Sequence, residues 1–535
     1  MTPRRSVPAS LVLLLACGDA GTAATDPADS DASSSSGAAE PTTSTSTTDV
    51  STSSTDDSTT TTTSTATSTA DPSTTGPAPL IVTTDVVRYT SQPQVVDVLL
   101  TTSAAANSLT LVHPDDPGVV IEPIAVDAQT TTFRVRGLAP DTNHSLQYTA
   151  DDVTGPVDFI TFPPLLGFIP SFEVQGGSVD PAAPYRLFDL IPFPAFDTAS
   201  VFMVDAMGTT RWHLGGPSTN MPGPEGVWTS VKPRPDGTLM YLHNHTMWIR
   251  DELGEPALEL PDDLLGLTGL HHELLTLPNG NFMALSFVFK DIDYGQPGVL
   301  TTAGDLIVEF TPDGEVVWTW DSFDHLDPQR VTEPFDTATV IHPITLELTY
   351  DWTHGNAIVH DPVTDTLLLS LRHQDWILAI DHKTGEVLWK LGDDGDFDLL
   401  GDSEWFFHQH APEWQQDGTL LLYDNGLGNP DLAPADVHSR AVRYSLDLEG
   451  MTAQRVWTDD GPPILVTYAG NADRLPGGRI LATDSSILGP GGIWAQLREL
   501  DESASPMLQW SLRTPDQTFA YRATAHDRLI GQPAP

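Results

Sequence analysis

Histidines recur at several places in this 535-residue sequence where strand-like segments begin or end. Imidazole can serve as a metal ligand, a nucleophile or a proton carrier, so their grouping with an arginine points to chemistry. The positions are His271 and His272 before ELLTLPNGN, His354 in DWTHGNAI, Arg372 and His373 in SLRHQ, and His408 and His410 in FFHQHAPEW. Each stands on, or just before, what we expect to be the innermost strand of a different propeller blade, which would aim all of them into one channel.

Two kinds of site are compatible with these residues. Imidazoles are common metal ligands, and HQH puts His408 and His410 on one strand face, which allows a mixed histidine metal site. The sequence has no HExxH motif, and its single cysteine, Cys17, excludes a cysteine-based zinc site. Arg372 would repel a divalent cation and suits a tetrahedral oxyanion, so we expect anion chemistry without a metal. We interpret the remaining strand histidines as structural: His360, His373, His382, His438 and His526.

The elements that must position these side chains follow from a repeat. Beyond Phe168 a glycine turn, two strands and a further strand ending in tryptophan recur six times, at spacings of roughly 40 to 55 residues. The DG and NG pairs are typical of hairpin turns. The sequence therefore predicts a six-bladed β-propeller over residues 165–535. The tryptophans that recur at the strand ends are expected to pack between blades: Trp318, Trp389, Trp457 and Trp510.

The N-terminal part predicts export. Residues 1–17 combine Arg4 and Arg5 with a short apolar run ending at Cys17, which is the layout of a signal peptide. This segment resembles the bacterial lipoprotein signal, in which the cysteine sulfur carries a lipid. Residues 18–79 are rich in Ser and Thr with almost no large apolar side chain, which predicts a disordered tether. The resulting expectation is a protein that is lipid-anchored in the bacterial cell envelope, in the periplasm or at the outer membrane.

Residues 80–164 predict a separate domain. Short segments of alternating polarity, such as VVDVLLTT and TTTFRVRGL, are separated by turn residues. The run FRVRGLAPDTNHSLQYTA resembles an immunoglobulin-like or fibronectin-like strand, loop and strand, so we expect an all-β chain with an N-terminal β-sandwich before the propeller. A formal net charge of −49 argues against nucleic acid as a partner.

Several motifs in one order resemble those of the bacterial arylsulfotransferases that work without a nucleotide sulfate donor. They span most of the chain from Phe168 to Tyr521. The stretches that carry the resemblance are HHELLTLPNGN, DWTHGNAIVHDPVTDTLLLSLRHQDWILAIDHKTGEVLWKLG, FFHQHAPEWQQDGTLLLYDNG, SRAVRYSLD, YAGNADRLPGG and the YRA motif.

The resemblance implies a function and a set of site residues. In that family a histidine of the QH motif is transiently sulfated, which here corresponds to His410. Its channel neighbours map to His354, Asn356, Arg372 and His272. The implied activity moves a sulfuryl group from an aryl sulfate to a phenol in two steps, with no cofactor, and His354 or His272 handles the phenol proton.

Some features depart from the family or leave the assignment open. Some relatives form a disulfide near the site, which a chain with one cysteine cannot do, and HHE stands where HHD is more usual. Adjacent histidines leave His271 and His408 as alternatives within their motifs. A non-catalytic surface lipoprotein whose propeller binds a ligand or polymer is the main alternative function, and a histidine-metal enzyme is a third.

Overall fold

The computed structural model describes residues 62–67, 80–164, 169–193, 199–215, 228–459, 461 and 463–534. These residues form strands almost throughout, which confirms the all-β prediction. Their helical turns are short: 3₁₀ turns at Asp262–Leu265 and Arg372–Gln374, and helix α1 at Ser322–His325. No helix in the described ranges is long and apolar enough to cross a membrane. The predicted signal peptide, Cys17 and most of residues 18–79 lie outside the described residues.

Two sheets with a shared core form the N-terminal domain. The first sheet has the order β1 (Thr62–Thr67), β2 (Ile81–Arg88), β3 (Val95–Thr102), β6 (Thr130–Arg136) and β5 (Val120–Val126). The second has the order β4 (Leu109–Val112), β7 (Asn143–Ala150) and β8 (Val153–Ile160). Burial alternates along β8, as expected for strands with one face in a core. Residues from both sheets, Val98 and Val157 among them, belong to one buried cluster, while the immunoglobulin or fibronectin kinship stays a prediction.

Strand β1 differs from the expected tether. Residues 62–67 pair in antiparallel register with β2, from Thr62 opposite Val86 to Thr67 opposite Ile81. The disordered tether stays a prediction for the rest of residues 18–79, which lie outside the described residues. Threonine is β-branched and favours strands, so a Thr-rich run beside the open edge of a sheet can extend it without contributing an apolar core.

Six sheets of the described residues form the blades of the propeller. Blade 1 runs outward from β37 (Ala523–His526) through β10 (Tyr185–Pro192) and β11 (Ser200–Val204) to β12 (Thr210–Gly215), with β36 (Thr518–Phe519) also paired to β10. Blade 2 comprises β13 (Thr229–Pro233), β14 (Leu239–His243), β15 (Thr246–Arg250) and β16 (Pro256–Pro261). Blade 3 comprises β17 (Thr268–Thr276), β18 (Phe282–Asp293), β19 (Val299–Phe310) and β20 (Val316–Asp321), with β21 (Thr339–Ile341) and β22 (Leu348–Asp351) added beside β19.

The other three blades follow in chain order. Blade 4 comprises β23 (Gly355–Asp361), β24 (Thr366–Leu371), β25 (Trp376–Asp381) and β26 (Val387–Gly392). Blade 5 comprises β28 (His410–Trp414), β29 (Thr419–Asp424), β30 (Arg440–Asp447) and β31 (Thr452–Thr458), with β27 (Asp398–Leu399) at its outer edge. Blade 6 comprises β32 (Asn471–Arg474), β33 (Arg479–Gly489), β34 (Gly492–Asp501) and β35 (Leu508–Arg513), with β9 (Glu173–Gly176) outermost. The six-bladed prediction is confirmed.

Both ends of the propeller chain close the ring. The C-terminal strand β37 is the innermost strand of blade 1, and the N-terminal strand β9 completes blade 6 from outside. Asn471 of blade 6 bonds to Ala523 in both directions, at 2.8 Å through its side-chain nitrogen and 3.1 Å through its oxygen. The first and last blades are thereby joined at the channel.

Tryptophans fill the wedges between blades, as the repeat predicts. Trp389 packs with residues of blade 5, and Trp457 packs with residues of blade 6. The indole nitrogen of Trp510 donates to the carbonyl of Ala206 in blade 1, at 2.9 Å. Trp318 contacts His382 of blade 4, although its neighbour Trp320 is the more deeply buried of the two. Each indole thus adds apolar contact area with the following blade.

An ion-pair network joins the sandwich to the propeller. Glu252 follows β15 and accepts hydrogen bonds from Arg134 at 2.7 Å and from Arg136 at 2.5 Å, both on β6 of the sandwich. Arg136 also donates to the carbonyl of Gly531, at 3.2 Å. Because Arg136 and Glu252 are both buried, each neutralises a charge that water does not reach.

We predict that Glu252→Ala destabilises the protein strongly. Removing the carboxylate leaves the buried Arg136 without its main partner, which typically costs about 3 to 5 kcal/mol. The free energy of unfolding in urea, followed by tryptophan fluorescence, measures this loss. Glu255→Ala, in the same turn but exposed, should change stability by less than about 0.5 kcal/mol. Equal stability of the two variants would contradict the role assigned to Glu252.

Candidate active site

The innermost strands of blades 3, 4 and 5 begin at the same end of the channel, and each begins irregularly. Register shifts interrupt the pairing after His271 in β17, around Asn356 in β23 and after His410 in β28. Such bulges turn one side chain away from its regular direction. His272 has a φ of 55° and His354, just before β23, has a φ of 49°, both in the left-handed region. The bulges bring the predicted side chains together at this end.

His410 is held in one tautomer by its neighbours. Its Nδ1 lies 2.7 Å from Oδ1 of Asn425. The side-chain nitrogen of Asn425 donates to the carbonyls of Val466 and Ala469, so its oxygen must be the atom that faces the imidazole. Nδ1 of His410 therefore carries the proton and donates it. The other nitrogen, Nε2, is left with its lone pair and accepts a 3.3 Å bond from the backbone N–H of Ala469.

His354 is paired with a carboxyl group. Its Nδ1 lies 2.5 Å from Oδ2 of Asp351, which ends strand β22. His373 contacts the same residue through the backbone carbonyl of Asp351, at 2.7 Å, and stands 4.6 Å from His354 between ring centroids. Burial raises the pKa of Asp351 and lowers that of His354 well below its usual value. The pair can exchange a proton with a bound molecule, while Asp351 orients the ring.

The HHE and HQH motifs each contribute one histidine to the cluster. The ring of His272 lies 5.0 Å from that of His354, whereas His271 stacks on Phe287 at 4.0 Å inside the blade. His408 turns away from His410, because its Nδ1 bonds to the carbonyl of Leu427 at 2.8 Å and its Nε2 faces Glu333 at 3.1 Å. Of the alternatives, His272 and His410 face the cluster.

Arg372 reaches the site from a different element than expected. Arg372 begins the 3₁₀ turn between β24 and β25, so the prediction that it lies on an innermost strand was wrong. It also belongs to blade 4, the blade that His354 precedes, and not to a blade of its own. The antiparallel return of β24 explains its position, because Gly355 at the start of β23 lies opposite Leu371 at the end of β24. The N–H of Arg372 donates to the carbonyl of His354 at 3.1 Å. Its guanidinium bonds to the carbonyl of Thr467 at 3.2 Å.

A second guanidinium, Arg522, was not among the predicted site residues. It donates to Glu273 at 2.7 Å and to the backbone carbonyl of Asn356 at 2.7 Å, and so spans the channel from blade 1 to blades 3 and 4. Glu273 also accepts from Ser230 and Lys232. Burial alone would raise the pKa of Glu273, but the positive charges of Lys232 and Arg522 lower it to about 2. The YRA motif at Tyr521 was the available signal, but it lies 111 positions beyond His410, and only ring closure places it here.

Burial and positive charge keep the imidazoles neutral. The pKa values of His272, His354 and His410 all lie well below the usual value, first because of desolvation and then because of neighbouring positive charge, including that of Arg372. A neutral imidazole keeps one nitrogen lone pair, so His410 needs no deprotonation before it attacks an electrophile.

Several buried polar atoms at the cluster point to a polar ligand. Within the described residues, Nε2 of His272, Oδ1 of Asn356 and Nε of Arg522 make no hydrogen bond. The side-chain nitrogen of Asn356 is already committed to the carbonyl of Gln409, at 2.8 Å. Buried polar atoms are normally satisfied, so their grouping around His410 is typical of a functional site. Two guanidinium groups with a neutral imidazole suit the transfer of an anionic tetrahedral group.

A metal is less compatible with this cluster. Asp351, His354 and His373 lie close enough together to hold an ion. Arg372, however, is near enough for its positive charge to lower the pKa of both histidines. A fixed cation at that distance opposes a divalent ion.

A cavity of about 400 Å³ adjoins the cluster along the channel. Tyr521, Arg522 and Glu273 form one end of it, beside Ala411. Its walls combine apolar side chains of the innermost strands, such as Ile358 and Val359, with charged ones, among them Lys232, Glu413 and Asp473. His410 and His354 do not line the cavity, whereas Ala411, the residue after His410, does.

Comparisons with known proteins agree on one family. A sequence model described as Arylsulfotransferase (ASST) matches residues 177–522. The chain is 27% identical to the arylsulfate sulfotransferase AssT of Escherichia coli O6:H1 over 343 residues, 52% of this chain and 54% of that protein. The chain is 26% identical to AssT of Lelliottia amnigena, also over 343 residues, 52% of this chain and 54% of that protein. The chain thus spans about half the length of the curated relatives it matches. Among solved structures, a Bacteroides thetaiotaomicron protein of unknown function aligns with a TM-score of 0.30 at 10% identity, over 78% of this chain and 94% of that chain.

We predict that Asp189, which contacts Tyr521 and Arg522, makes stability fall as pH rises. Its carboxyl accepts from the backbone N–H groups of Tyr521 and Arg522, and burial raises its pKa from 3.8 to about 7. Between these values the unfolded chain releases the proton and the folded chain keeps it. The unfolding free energy therefore falls by up to about 1.4 kcal/mol per pH unit, an effect that is absent below pH 3.8 and complete above pH 7.

The test compares Asp189→Asn with the unmodified chain in urea unfolding at pH 5, 6, 7 and 8. The stability of the variant relative to the unmodified chain should rise from pH 5 to 7 and then level. Asp313→Asn, at an exposed turn, serves as the matched control and should show no such trend. A constant difference for Asp189→Asn across this range would contradict a raised pKa.

Proposed function

Because this chain belongs to the arylsulfotransferase family, we propose that it moves a sulfuryl group from an aryl sulfate to a phenol, with His410 carrying the group between the two molecules. The observation that supports this most directly is the fixed tautomer of His410. Oδ1 of Asn425 accepts a hydrogen bond from Nδ1–H of His410, and Nε2 keeps its lone pair beside Arg372 and the His354–Asp351 pair. A nucleophile, a positive charge and a proton carrier are thus within one buried cluster.

In the first half-reaction, Nε2 of His410 attacks the sulfur of the aryl sulfate. The N–S bond forms as the bond from sulfur to the phenolic oxygen breaks, and the electron pair leaves on that oxygen. The leaving phenolate takes a proton from Nε2 of His354, and Nδ1 of His354 takes the proton of the Asp351 carboxyl, whose pKa is raised by burial. The product is sulfated His410, whose Nδ1 proton still faces Asn425.

The second half-reaction reverses these steps with another phenol. Its oxygen attacks the sulfur, the N–S bond breaks, and the electron pair returns to Nε2 of His410. A free phenol has a pKa near about 10, so its proton must be removed during attack, and His354 receives it. The proton gained here replaces the one given up earlier, so the cycle needs no outside proton source.

The two guanidinium groups supply charge stabilisation. Sulfuryl transfer resembles phosphoryl transfer in its loose transition state, which spreads negative charge over the equatorial oxygens and the leaving oxygen. Arg372 is placed beside His410 by its turn, and Arg522 is fixed by Glu273 and the carbonyl of Asn356. Because these donors are held before the substrate enters, they need little reorganisation during the reaction.

The proposed setting is the bacterial cell envelope. A lipid on Cys17 and a Ser/Thr-rich tether would hold the sandwich and propeller near a membrane, where aryl sulfates and phenols can diffuse to the channel. Metabolic labelling with a radiolabelled fatty acid tests the anchor, because Cys17→Ser should abolish labelling of the chain. Labelling that persists in that variant would contradict lipidation at this cysteine.

We predict that His410 becomes covalently sulfated. Brief exposure of the protein to p-nitrophenyl sulfate without acceptor, at alkaline pH, should add about 80 Da to the peptide containing His410. His410→Ala should abolish both this adduct and phenol-dependent release of p-nitrophenolate. His408→Asn is the matched control, because it changes the other histidine of the motif and asparagine tolerates the left-handed φ of 55° there. An adduct on another histidine would contradict the proposed nucleophile, and loss of activity with a chelator would favour a metal mechanism.

We predict that Arg372→Lys slows transfer without abolishing the adduct. Lysine keeps the charge but loses the planar pair of donors. The transition state should lose about 2 to 4 kcal/mol of stabilisation, which lowers kcat/KM about 30- to 1,000-fold. Steady-state release of p-nitrophenolate measures this change. Arg455→Lys, on the outermost strand of blade 5, should retain the full rate. An unchanged kcat/KM in Arg372→Lys would remove its guanidinium from the proposed site.

A further inference from the structure

A second group of potential ligands lies at the opposite end of blade 4 from His354. His360 stands near the end of β23, Asp365 in the turn before β24, and His382 just after β25. Nε2 of His360 and Nδ1 of His382 each lie 3.0 Å from Oδ1 of Asp365. We propose that these three side chains bind one divalent transition-metal ion, with Zn²⁺ as the preferred ion.

The spacing of the three atoms fits a small ion. In a tetrahedral zinc site, bonds of about 2.0 to 2.2 Å place neighbouring ligand atoms about 3.4 Å apart. The ligand atoms of His360, Asp365 and His382 all lie within 4.8 Å of one another. Admitting zinc lengthens each 3.0 Å contact with Oδ1 of Asp365 by a few tenths of an ångström, and the two imidazole nitrogens, which lie within 4.8 Å of each other, need to approach by at most about 1.4 Å. Two imidazole nitrogens with one carboxylate favour zinc and its neighbours over Mg²⁺ or Ca²⁺, which prefer oxygen ligands.

A carboxylate on the far side of His382 supports the proposal. The Nε2 atom of His382 lies 3.1 Å from Oε2 of Glu309, and its Nδ1 lies 3.0 Å from Oδ1 of Asp365. Both nitrogens of the ring therefore face carboxylate oxygens. An ion bound between Nδ1 and Asp365 would contact His360 at the same time, because Nε2 of His360 lies 3.0 Å from the same oxygen.

Glu309 has the surroundings of an outer residue of a metal site. Its other oxygen accepts from the side-chain nitrogens of Asn279 at 2.9 Å and Asn281 at 2.6 Å. Trp318 packs edge-on against His382, with 4.8 Å between ring centroids. Histidines that bind metals commonly donate their second nitrogen to a carboxylate, which fixes the tautomer and the ring orientation. Glu309 lies 3.1 Å from Nε2 of His382, which is the position such a carboxylate would take.

The backbone holds the three residues in place without an ion. The N–H of His382 donates to the carbonyl of Asp365 at 3.2 Å, and the N–H of Asp365 donates to the carbonyl of Asp361 at 2.9 Å. The side chain of Asp361 accepts from Val363 and Thr364 within the same turn. A prearranged site of this kind loses little conformational entropy when it binds an ion.

The surroundings leave room for the ion and a water molecule. Asp365 is only half-buried, and the nearby Lys383 is 79% exposed, with its Nζ 3.9 Å from Oδ2 of Asp365. That lysine can move into solvent, unlike the buried Arg372 beside His354. His360 also lines the channel cavity, so the ion would stand at the cavity wall. Through Glu309 it would join blade 4 to blade 3.

The test uses the untagged full-length chain, stripped with EDTA and dialysed. Titration calorimetry with ZnCl₂, with elemental analysis of the dialysed complex, should find one ion per chain. Co²⁺ in its place should give the visible absorption of a four- or five-coordinate ion. His360→Ala and His382→Gln should each weaken Zn²⁺ binding at least about 100-fold, and Glu309→Gln about 10- to 100-fold. His382→Gln preserves side-chain volume, which limits effects on folding.

His354→Ala is the control, because the active-site group of Asp351, His354 and His373 is the other place in the described chain where an ion could bind. It should leave the affinity and the Co²⁺ spectrum unchanged. Circular dichroism of each variant verifies the fold. The proposal is overturned if the stripped chain binds no zinc, if His360→Ala and His382→Gln bind it normally, or if binding is lost in His354→Ala. None of these readouts depends on sulfuryl transfer, so they separate this proposal from the proposed function.

Discussion

The pairing of the C-terminal strand β37 with β10 is the interaction on which the channel depends. It closes the ring, and it also carries the preceding residues, Tyr521 and Arg522, to the centre of the molecule. Asp189 on β10 binds the backbone of both, and the guanidinium then bonds to Glu273 and to the carbonyl of Asn356. Three blades that are distant in sequence are thus fixed around one buried charge. Loss of this pairing would open the ring, and the same event would move Arg522 away from Glu273 and the carbonyl of Asn356.

The charge of the site is opposite in sign to the net charge of the chain. The chain carries a formal net charge of −49, yet the cluster around His410 contains the buried Arg372 and the largely buried Arg522. Long-range electrostatics should not draw an anionic ester toward such a protein at low ionic strength. Recognition of an anion must then come from contacts made inside the channel, where low polarity strengthens each of them.

Repetition made the fold predictable, and local irregularity limited what could be said of the site. Six recurrences of one hairpin pattern fixed the number of blades and the role of tryptophans such as Trp510. Arg372 was misplaced because it directly follows β24, the second strand of blade 4. The repeat shows where a strand lies but not which of two antiparallel strands is innermost. His272 could not be told from His271 because a bulge decides which ring faces the channel, and period-two alternation contains no bulges. Arg522 was missed because its neighbours in space come from ring closure, which no local spacing encodes.

The left-handed backbone at the site constrains how its genetic variation can be interpreted. His272 and His354 adopt positive φ angles, which asparagine and glycine tolerate and β-branched residues do not. A saturation library at either position would therefore rank amino acids by backbone compatibility and by side-chain chemistry at once. A valine that inactivates the protein would report on main-chain geometry as much as on the missing imidazole. Natural lineages face the same filter, so drift away from histidine at these two codons should pass through asparagine more often than through any branched aliphatic residue.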